Sequence, residues 1–181
     1  MIPATPIDID KARLYLKADG DDDDLISLEL LPAAQQVCQD YCNRVFYDSV
    51  SDQSDDFVVA LSDRTAALAS RTTALQAVTG DTPDDWATRR LINDHYIQVF
   101  GDISKRIHGI VIDSAINAAI LMTLGHLYKN REDNLATGNN VVQVPVGAQR
   151  ILQTKLWIGN LVADSGLTDS YPTQTWPPEG S

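Results

Sequence analysis

Positively charged residues are scarce in this 181-residue chain: 14 Lys and Arg stand against 25 Asp and Glu, a formal net charge of −11 at pH 7. A protein that grips nucleic acid by its phosphates is usually basic, because Lys and Arg must replace released counterions. The basic run KRIH at 105–108 is too short for such a patch. The composition therefore argues against DNA binding, although an acidic wall would let a duplex slide past without adhering.

Long apolar runs are also absent, since no stretch of about eighteen apolar residues, the length of a membrane-spanning helix, occurs in the sequence. The first residues, MIPATPIDIDKARLYL, lack the basic region and apolar stretch of a signal peptide. We therefore expect no membrane span, and a protein made and kept in the cytoplasm or in a particle that assembles there. The apolar fraction of 44% predicts a globular core, and the aromatic fraction of 7% a modest one.

Cysteine and histidine are too few to suggest a disulfide framework or a metal site. Cys38 and Cys42 are four residues apart and would share a helix face, where a disulfide is geometrically awkward. With no partner at ligand spacing, no zinc site is expected, and both cysteines are interpreted as small buried residues of a reduced protein. The histidines, His95, His108 and His126, form no metal pair, and His126 is expected to be a hydrogen-bonded structural residue.

Catalytic signatures are missing as well. No glycine-rich phosphate loop follows a strand, and no serine lies in a G-x-S-x-G motif. The acid pairs Asp55–Asp56 and Asp84–Asp85 are interpreted as charges at helix starts, although a hydrolase that acts through a carboxylate pair remains a minor alternative. We therefore expect that the protein is not an enzyme and has no cofactor and no catalytic or metal-binding residues.

Aspartate, by contrast, is concentrated in KADGDDDDLIS at 17–27, where it fills five of six successive positions. An EF-hand loop that began at Asp19 would have its first three ligands in place. Its glycine position, however, is occupied by Asp24, and its final carboxylate position by Leu30. We therefore interpret the run as a helix–turn–helix joint, in which Gly20 ends one helix and the aspartates cap the next.

Apolar residues recur at spacings of three and four along most of the chain, as in amphipathic helices. The pattern predicts the following elements: a short helix at 7–18, a long one at 25–46 with a kink at Pro32, a loop at 48–56, helices at 57–78 and 84–100 with Gly101 breaking or weakening the second, an Ala-rich helix at 113–133, and a last helix at 146–162 with Leu156 and Trp157 facing inward. The residues that follow are rich in proline and have no periodicity, which predicts an extended tail.

Three stretches in a fixed order resemble a known protein family. A short helix, an acidic turn and an apolar helix with a tyrosine come first, then an Ala-rich helix with a GH-x-Y-x-NRE-like end, then a P-x-G joint before a Leu-bearing helix. The residues of the last two motifs are Gly125, His126, Tyr128, Asn130, Arg131, Glu132, Pro145, Gly147 and Leu152. Over about residues 7–47 and 110–157 the chain resembles the head–tail connector proteins of long-tailed bacteriophages, the adaptor family that forms a ring beneath the portal.

The resemblance implies a structural virion protein that is made in the host cytoplasm and resides in the neck. Such proteins form a ring, commonly a dodecamer, which docks on the portal, extends the DNA channel and offers a surface to the next neck or tail protein, a stopper or tail terminator. The DNA would pass through without specific binding. The family connection between the second and the Ala-rich helix is usually shorter than the insertion at about 48–105, and KLW replaces the Tyr–Arg ending common after the last helix.

The sequence therefore predicts an all-α protein: a small helical bundle with a long central helix, an inserted helical region at about 48–105, and an extended C-terminal tail. The connector domain would span 1–165 and the tail 166–181. Tyr171 and Trp176 are the expected partner-binding residues, as anchors of the tail along the portal. The alternative is a small cytoplasmic helical adaptor or regulator unrelated to phage assembly, which would have no reason to form a ring.

Overall fold

Helices dominate the computed structural model, which describes residues 7–18, 20–130 and 144–158. The described α-helices are α1 (Ile9–Leu16), α2 (Leu31–Cys42), α3 (Val50–Gln76), α4 (Pro83–Ile107), α5 (Ser114–Lys129) and α6 (Val146–Leu152). The remaining described elements are a π-helical segment at Leu25–Leu30, short 3-10 turns at Gly20–Asp22 and Gln153–Lys155, and two-residue strands β1 (Phe46–Tyr47) and β2 (Ile110–Val111). The predicted all-α class is confirmed.

The main core surrounds α5, which packs against α1, α2 and α6. Ile116, Ile120 and Leu124 repeat along one side of α5 at a spacing of four and are completely buried. Cys38 and Cys42 of α2 are buried and unbonded to each other, as the sequence predicts, and Cys38 Sγ lies 3.5 Å from the hydroxyl of a threonine on α5. Burial raises the pKa of both thiols to about 11, so they remain protonated at neutral pH.

The region predicted as an insertion forms a helical hairpin, α3 with α4, that has a small core of its own. Ala60, Phe100 and Ile103 are its buried residues, and Ala60 is the one buried residue among the 27 of α3. The hairpin joins the bundle through β1 and β2, which pair in parallel with Phe46 opposite Ile110. At a rise of about 1.5 Å per residue, α3 is roughly 40 Å long, so it extends well beyond this joint.

Both helices of the hairpin are longer than the sequence pattern predicts. The loop predicted at 48–56 is wrong, because α3 already begins at Val50, where the Ser49 hydroxyl accepts a hydrogen bond of 3.1 Å from the Asp52 amide and caps the helix. Gly101 does not end α4, which continues to Ile107. The packing of buried residues on both sides of Gly101 against α3 offsets the roughly 1 kcal/mol helix penalty of a glycine.

The aspartate-rich joint differs from its predicted form. The left-handed residue that ends α1 is Lys17 (φ 53°), whereas Gly20 opens a 3-10 turn. Asp24 makes no capping hydrogen bond to the following helix. Instead, Asp23 accepts a hydrogen bond from Arg13 Nε at 2.9 Å and Asp22 accepts one from the hydroxyl of a tyrosine on α5. The carboxylates therefore fasten the joint to neighbouring helices, because those donors are within reach and stronger than backbone amides.

The helix predicted at 25–46 changes its hydrogen-bonding pattern next to Pro32 and ends at Cys42 rather than at 46. A π-helical segment, Leu25–Leu30, precedes α2, and Pro32 lies in the first turn of α2. Proline has no amide hydrogen and its ring collides with the carbonyl four residues earlier, so the wider π turn accommodates it at the junction.

The last predicted helix is too long. The α-helix ends at Leu152, and Leu156, predicted to face inward, is 36% exposed. Trp157 is half-buried outside the helix and stacks on His108 with 4.2 Å between ring centroids. The predicted tail at 166–181 lies outside the described residues.

Candidate interaction surfaces

The side chains predicted to contact a partner, Tyr171 and Trp176, lie outside the described residues, so their role stays a prediction. Of the histidines, His126 is exposed and pairs with Asn130 on the next turn of α5, with 3.1 Å between Nδ1 and the amide nitrogen. His95 packs edge-on against its neighbour Tyr96. Within the described part of the chain no three His, Cys, Asp or Glu side chains cluster as metal ligands would.

The basic run at 105–108 is used inside the molecule. Arg106 donates to Asp56 through Nε at 3.0 Å and Nη2 at 2.6 Å, and to Asp63 through Nη1 at 2.6 Å. Tyr47 donates its hydroxyl hydrogen to the same Asp56 carboxylate. Lys105 lies 3.5 Å from Asp102, so the cations of this run are paired with carboxylates rather than offered to phosphates.

One member of each predicted acid pair, Asp56 in the first and Asp85 in the second, has a structural role. The Arg106 guanidinium holds the pKa of Asp56 below its usual range, and burial is the main cause of the raised pKa of Tyr47. Asp56 therefore stays ionised as an ion-pair partner, although it lies beyond the helix start where the sequence placed it. Asp85 is at a helix start, as predicted: Thr82 and Asp85 form a capping box at the beginning of α4.

A cleft of about 550 Å³ lies where the hairpin meets the bundle. Its lining includes Asp40, Arg44, Lys105 and Arg106, and its two sides come from α2 and α4. The cations and carboxylates along it balance each other, so the cleft carries no excess charge that would select an anionic or cationic ligand.

A second hollow, of about 480 Å³, lies at the C-terminal end of α5. Its lining includes Tyr15 of α1, Met122 and Gly125 of α5, and Pro145 before α6. A Cβ atom placed on Gly125 would lie 3.2 Å from the Tyr15 ring. A larger residue at 125 would push the ring away, so this glycine lets α1 lie directly on α5.

Exposed apolar side chains are found at both ends of α5. At its C-terminal end Leu14 is 81% and Val146 65% exposed, near the hollow just described. At its N-terminal end Ile158 is 87% exposed, on the segment that Lys155 ties to Asp113 with a bond of 2.6 Å. Single exposed apolar residues are ordinary, but Leu156 is 36% exposed beside Ile158, so a pair of exposed apolar side chains lies near each end of α5.

No protein-family model matches the chain, and no curated protein or solved structure matches it either. In the described residues, no helix combines the length and the apolar character that crossing a bilayer requires.

Sequence reasoning missed the features that give these surfaces their form. The ion pair of Arg106 with Asp56 joins residues 50 positions apart, and the tyrosine–aspartate bond at the joint spans 106 positions. Helical periodicity says which residues face inward but not which element lies opposite. The one local signal that was available is the serine before Val50, which has the residue type of an N-cap.

Proposed function

We propose that the chain is a ring-forming head–tail connector of a long-tailed bacteriophage. Its ring, a dodecamer in the form common to such proteins, docks on the portal, extends the DNA channel and links the filled head to the next neck or tail protein. The protein acts by binding and shape, without a catalytic step.

The observation that carries this proposal is the way the two separate stretches of resemblance pack. Residues 7–47 and 110–157 supply the whole main core, while the inserted hairpin has a core of its own. The motif glycine, Gly125, lies beneath Tyr15, and the motif tyrosine, Tyr128, bonds to Asp22 of the acidic turn. The residues that carry the resemblance therefore hold α1, the acidic joint and α5 together as one unit.

The surfaces of the bundle also suit a ring. A ring repeats one heterologous contact by rotation, so each subunit needs two different patches that complement each other. Leu14 with Tyr15 near the C-terminal end of α5, and Ile158 near its N-terminal end, provide exposed apolar groups in two places. The net charge of −11 would keep a passing DNA duplex from adhering to the channel wall.

The test is assembly with the portal protein encoded by the same genome, observed by negative-stain electron microscopy and mass photometry. The wild-type chain should form rings on the portal. Leu14→Glu should prevent ring formation, whereas Leu91→Glu, which changes another exposed leucine on the outer side of α4, should leave it intact. Circular dichroism of both variants controls for folding. A wild-type chain that stays unassembled beside its portal would overturn the proposal and favour the small cytoplasmic adaptor.

The predicted tail is tested separately. Deletion of residues 166–181 should abolish docking to the portal and leave the helical content unchanged, because Tyr171 and Trp176 are proposed to anchor the chain there. Undiminished binding of the truncated protein to the portal would refute the tail assignment without affecting the ring.

A further inference from the structure

The outer face of α3 lacks charge along most of its length. From residue 57 to 76 the exposed residues are Phe57, Val58, Val59, Leu61, Ser62, Thr65, Ala66, Ala69, Ser70, Thr72, Thr73 and Gln76. On α4, the other helix of the hairpin, Asp84, Arg90, Asp94 and Asp102 are all exposed. A solvated helix face in a chain with 22% charged residues would normally resemble that of α4.

Two of the three charged residues that α3 has between 57 and 76 bond to side chains of α4. Asp63 pairs with Arg106, and Arg71 donates to the side-chain oxygen of Asn93 from Nε at 3.1 Å and Nη2 at 2.9 Å. Arg64 is likewise only partly exposed. The ionic side of α3 therefore faces its own hairpin partner, and the neutral side faces away from it.

The threonine hydroxyls on the neutral face are already satisfied. The hydroxyls of Thr65, Thr72 and Thr73 donate to backbone carbonyls one turn earlier in α3, at 3.1, 2.9 and 3.1 Å. A hydroxyl bonded in this way turns the threonine methyl outward and does not need water. Covering this face would consequently leave these three hydroxyls paired, which removes the usual burial penalty for them.

A regular seam runs along the neutral face. Its residues are Val58, Leu61, Thr65, Ala69, Thr72 and Gln76, at successive spacings of three, four, four, three and four. This is the spacing by which two helices interlock. Valine and leucine lie at the N-terminal end of the seam, threonine and alanine in its middle, and glutamine at its C-terminal end. In an antiparallel pair of identical seams, Leu61 of each copy would lie against Thr72 of the other and Thr65 against Ala69, while Val58 would lie against the aliphatic part of Gln76.

We propose that two copies of the chain pair antiparallel through the outer face of α3. A nucleic acid would require cations that this face does not have. Two copies of a chain with net charge −11 repel each other, and a neutral face lets them meet without opposing carboxylates. A ring with distinct head and tail sides repeats a head-to-tail contact, whereas an antiparallel pair has two-fold symmetry and cannot be that contact. The inference therefore concerns the free protein and goes beyond the proposed connector role.

The principal test compares two matched substitutions by analytical ultracentrifugation over a concentration series, in the absence of portal. Ala69→Glu places a carboxylate in the seam, and Ala87→Glu places the same group on the exposed side of α4. Wild type and Ala87→Glu should form dimers with similar dissociation constants. Ala69→Glu should weaken dimerisation by about tenfold or more, because the pair would bury two added carboxylates, each against Thr65 of the other copy.

Thiol crosslinking tests the orientation. The native cysteines are buried and have raised pKa values, so an introduced surface cysteine is the one reactive thiol in the described part of the chain. Thr65→Cys, near the middle of the seam, should give a crosslinked dimer with a short bis-maleimide. Gln98→Cys, on the outer side of α4, should not.

Three results would overturn the pairing: a wild-type chain that is monomeric at every concentration, equal dimerisation of the two glutamate variants, or crosslinking at position 98 but not at 65. Each is independent of the connector role. Rings on the portal without dimers in its absence would refute the pair alone, and dimers that never form rings on the portal would refute the connector alone.

Discussion

Two glutamines on α2 show that the effect of a buried side-chain amide on stability depends on whether it has a hydrogen-bond partner. Gln35 and Gln39 are one helical turn apart and both buried. Gln39 Oε1 accepts a hydrogen bond of 2.9 Å from the buried amide of Phe46, where the chain leaves α2 for β1. Gln35 is fully buried, and neither its Oε1 nor its Nε2 has a hydrogen-bond partner among the residues that the structure describes. A buried amide without a partner costs stability, whereas a paired one orders the chain around it.

The same substitution at these two positions should therefore have opposite effects. Gln35→Met keeps the volume, removes two unpaired polar atoms and should raise the free energy of unfolding by about 1 kcal/mol. Gln39→Met leaves the Phe46 amide unpaired and should lower it by about 1–3 kcal/mol. Urea titrations of the two variants measure both changes. Destabilisation of equal size at both sites would show that the unpaired Gln35 amide does not lower the stability of the fold.

For single residues, the sequence predicts burial where burial depends only on polarity and helical spacing. Cys38 and Cys42 are buried as their helical positions predict. The partners of Asp22 and Asp23 could not be predicted, because an exposed-looking acidic run gives no sign of the arginine and tyrosine that approach it from two other helices.

Among the elements, the junction of the hairpin with the bundle depends on one arginine. Arg106 on α4 binds Asp56 and Asp63 on α3, and Tyr47 on β1 adds a hydrogen bond to Asp56. The side chains of Arg106 and Asp56 are 27% and 29% exposed, so water screens the pair only in part. The bidentate geometry fixes the angle between the helices near the sheet more firmly than a single contact would.

Removal of this arginine should weaken the fold in a pH-dependent way. Because the pKa of Asp56 is lowered in the folded state, its contribution is present above the unfolded value of about 3.9 and is lost as the pH falls through the folded value. Arg106→Met should lower the free energy of unfolding by about 1–3 kcal/mol at pH 7 and by much less in acid below the folded pKa of Asp56. Urea titrations at several pH values, with Arg90→Met as the control on the outer side of α4, measure this; a loss that does not vary with pH would contradict it.

Element boundaries were predictable where a cap and a hydrophobic pattern agree. The proline at the first position of α4 marks its start, which the sequence predicts to within one residue. The start of α3 was missed because its first two turns, residues 50–56, consist mostly of Ser, Asp and Gln, which are typical of loops, and tertiary contacts compensate for that weak propensity. One such contact is the bond of 2.7 Å from Gln53 Nε2 to the Gly109 carbonyl.

For the whole molecule, the presence of two cores implies that the hairpin and the bundle around α5 differ in stability. Seven residues of α5 are buried, against one of α3. Most helical stability in proteins comes from packing one face against a core, so the hairpin should open more easily than the bundle. The sequence predicts an insertion but not this division, because periodicity along a helix does not show whether its partner belongs to the same core or to another.

Hydrogen exchange measured by mass spectrometry should reveal both the weak hairpin and what covers it. At low protein concentration, amides of α3 between 60 and 75 should exchange through a smaller opening free energy than those of α5 between 116 and 127. Pairing through the outer face of α3 stabilises the paired form by mass action, so raising the concentration should slow exchange in α3 in the wild type and in Ala87→Glu, but much less in Ala69→Glu. If α3 is as protected as α5 even in dilute wild-type protein, the hairpin is not a separate, weaker unit and needs no second copy to hold it.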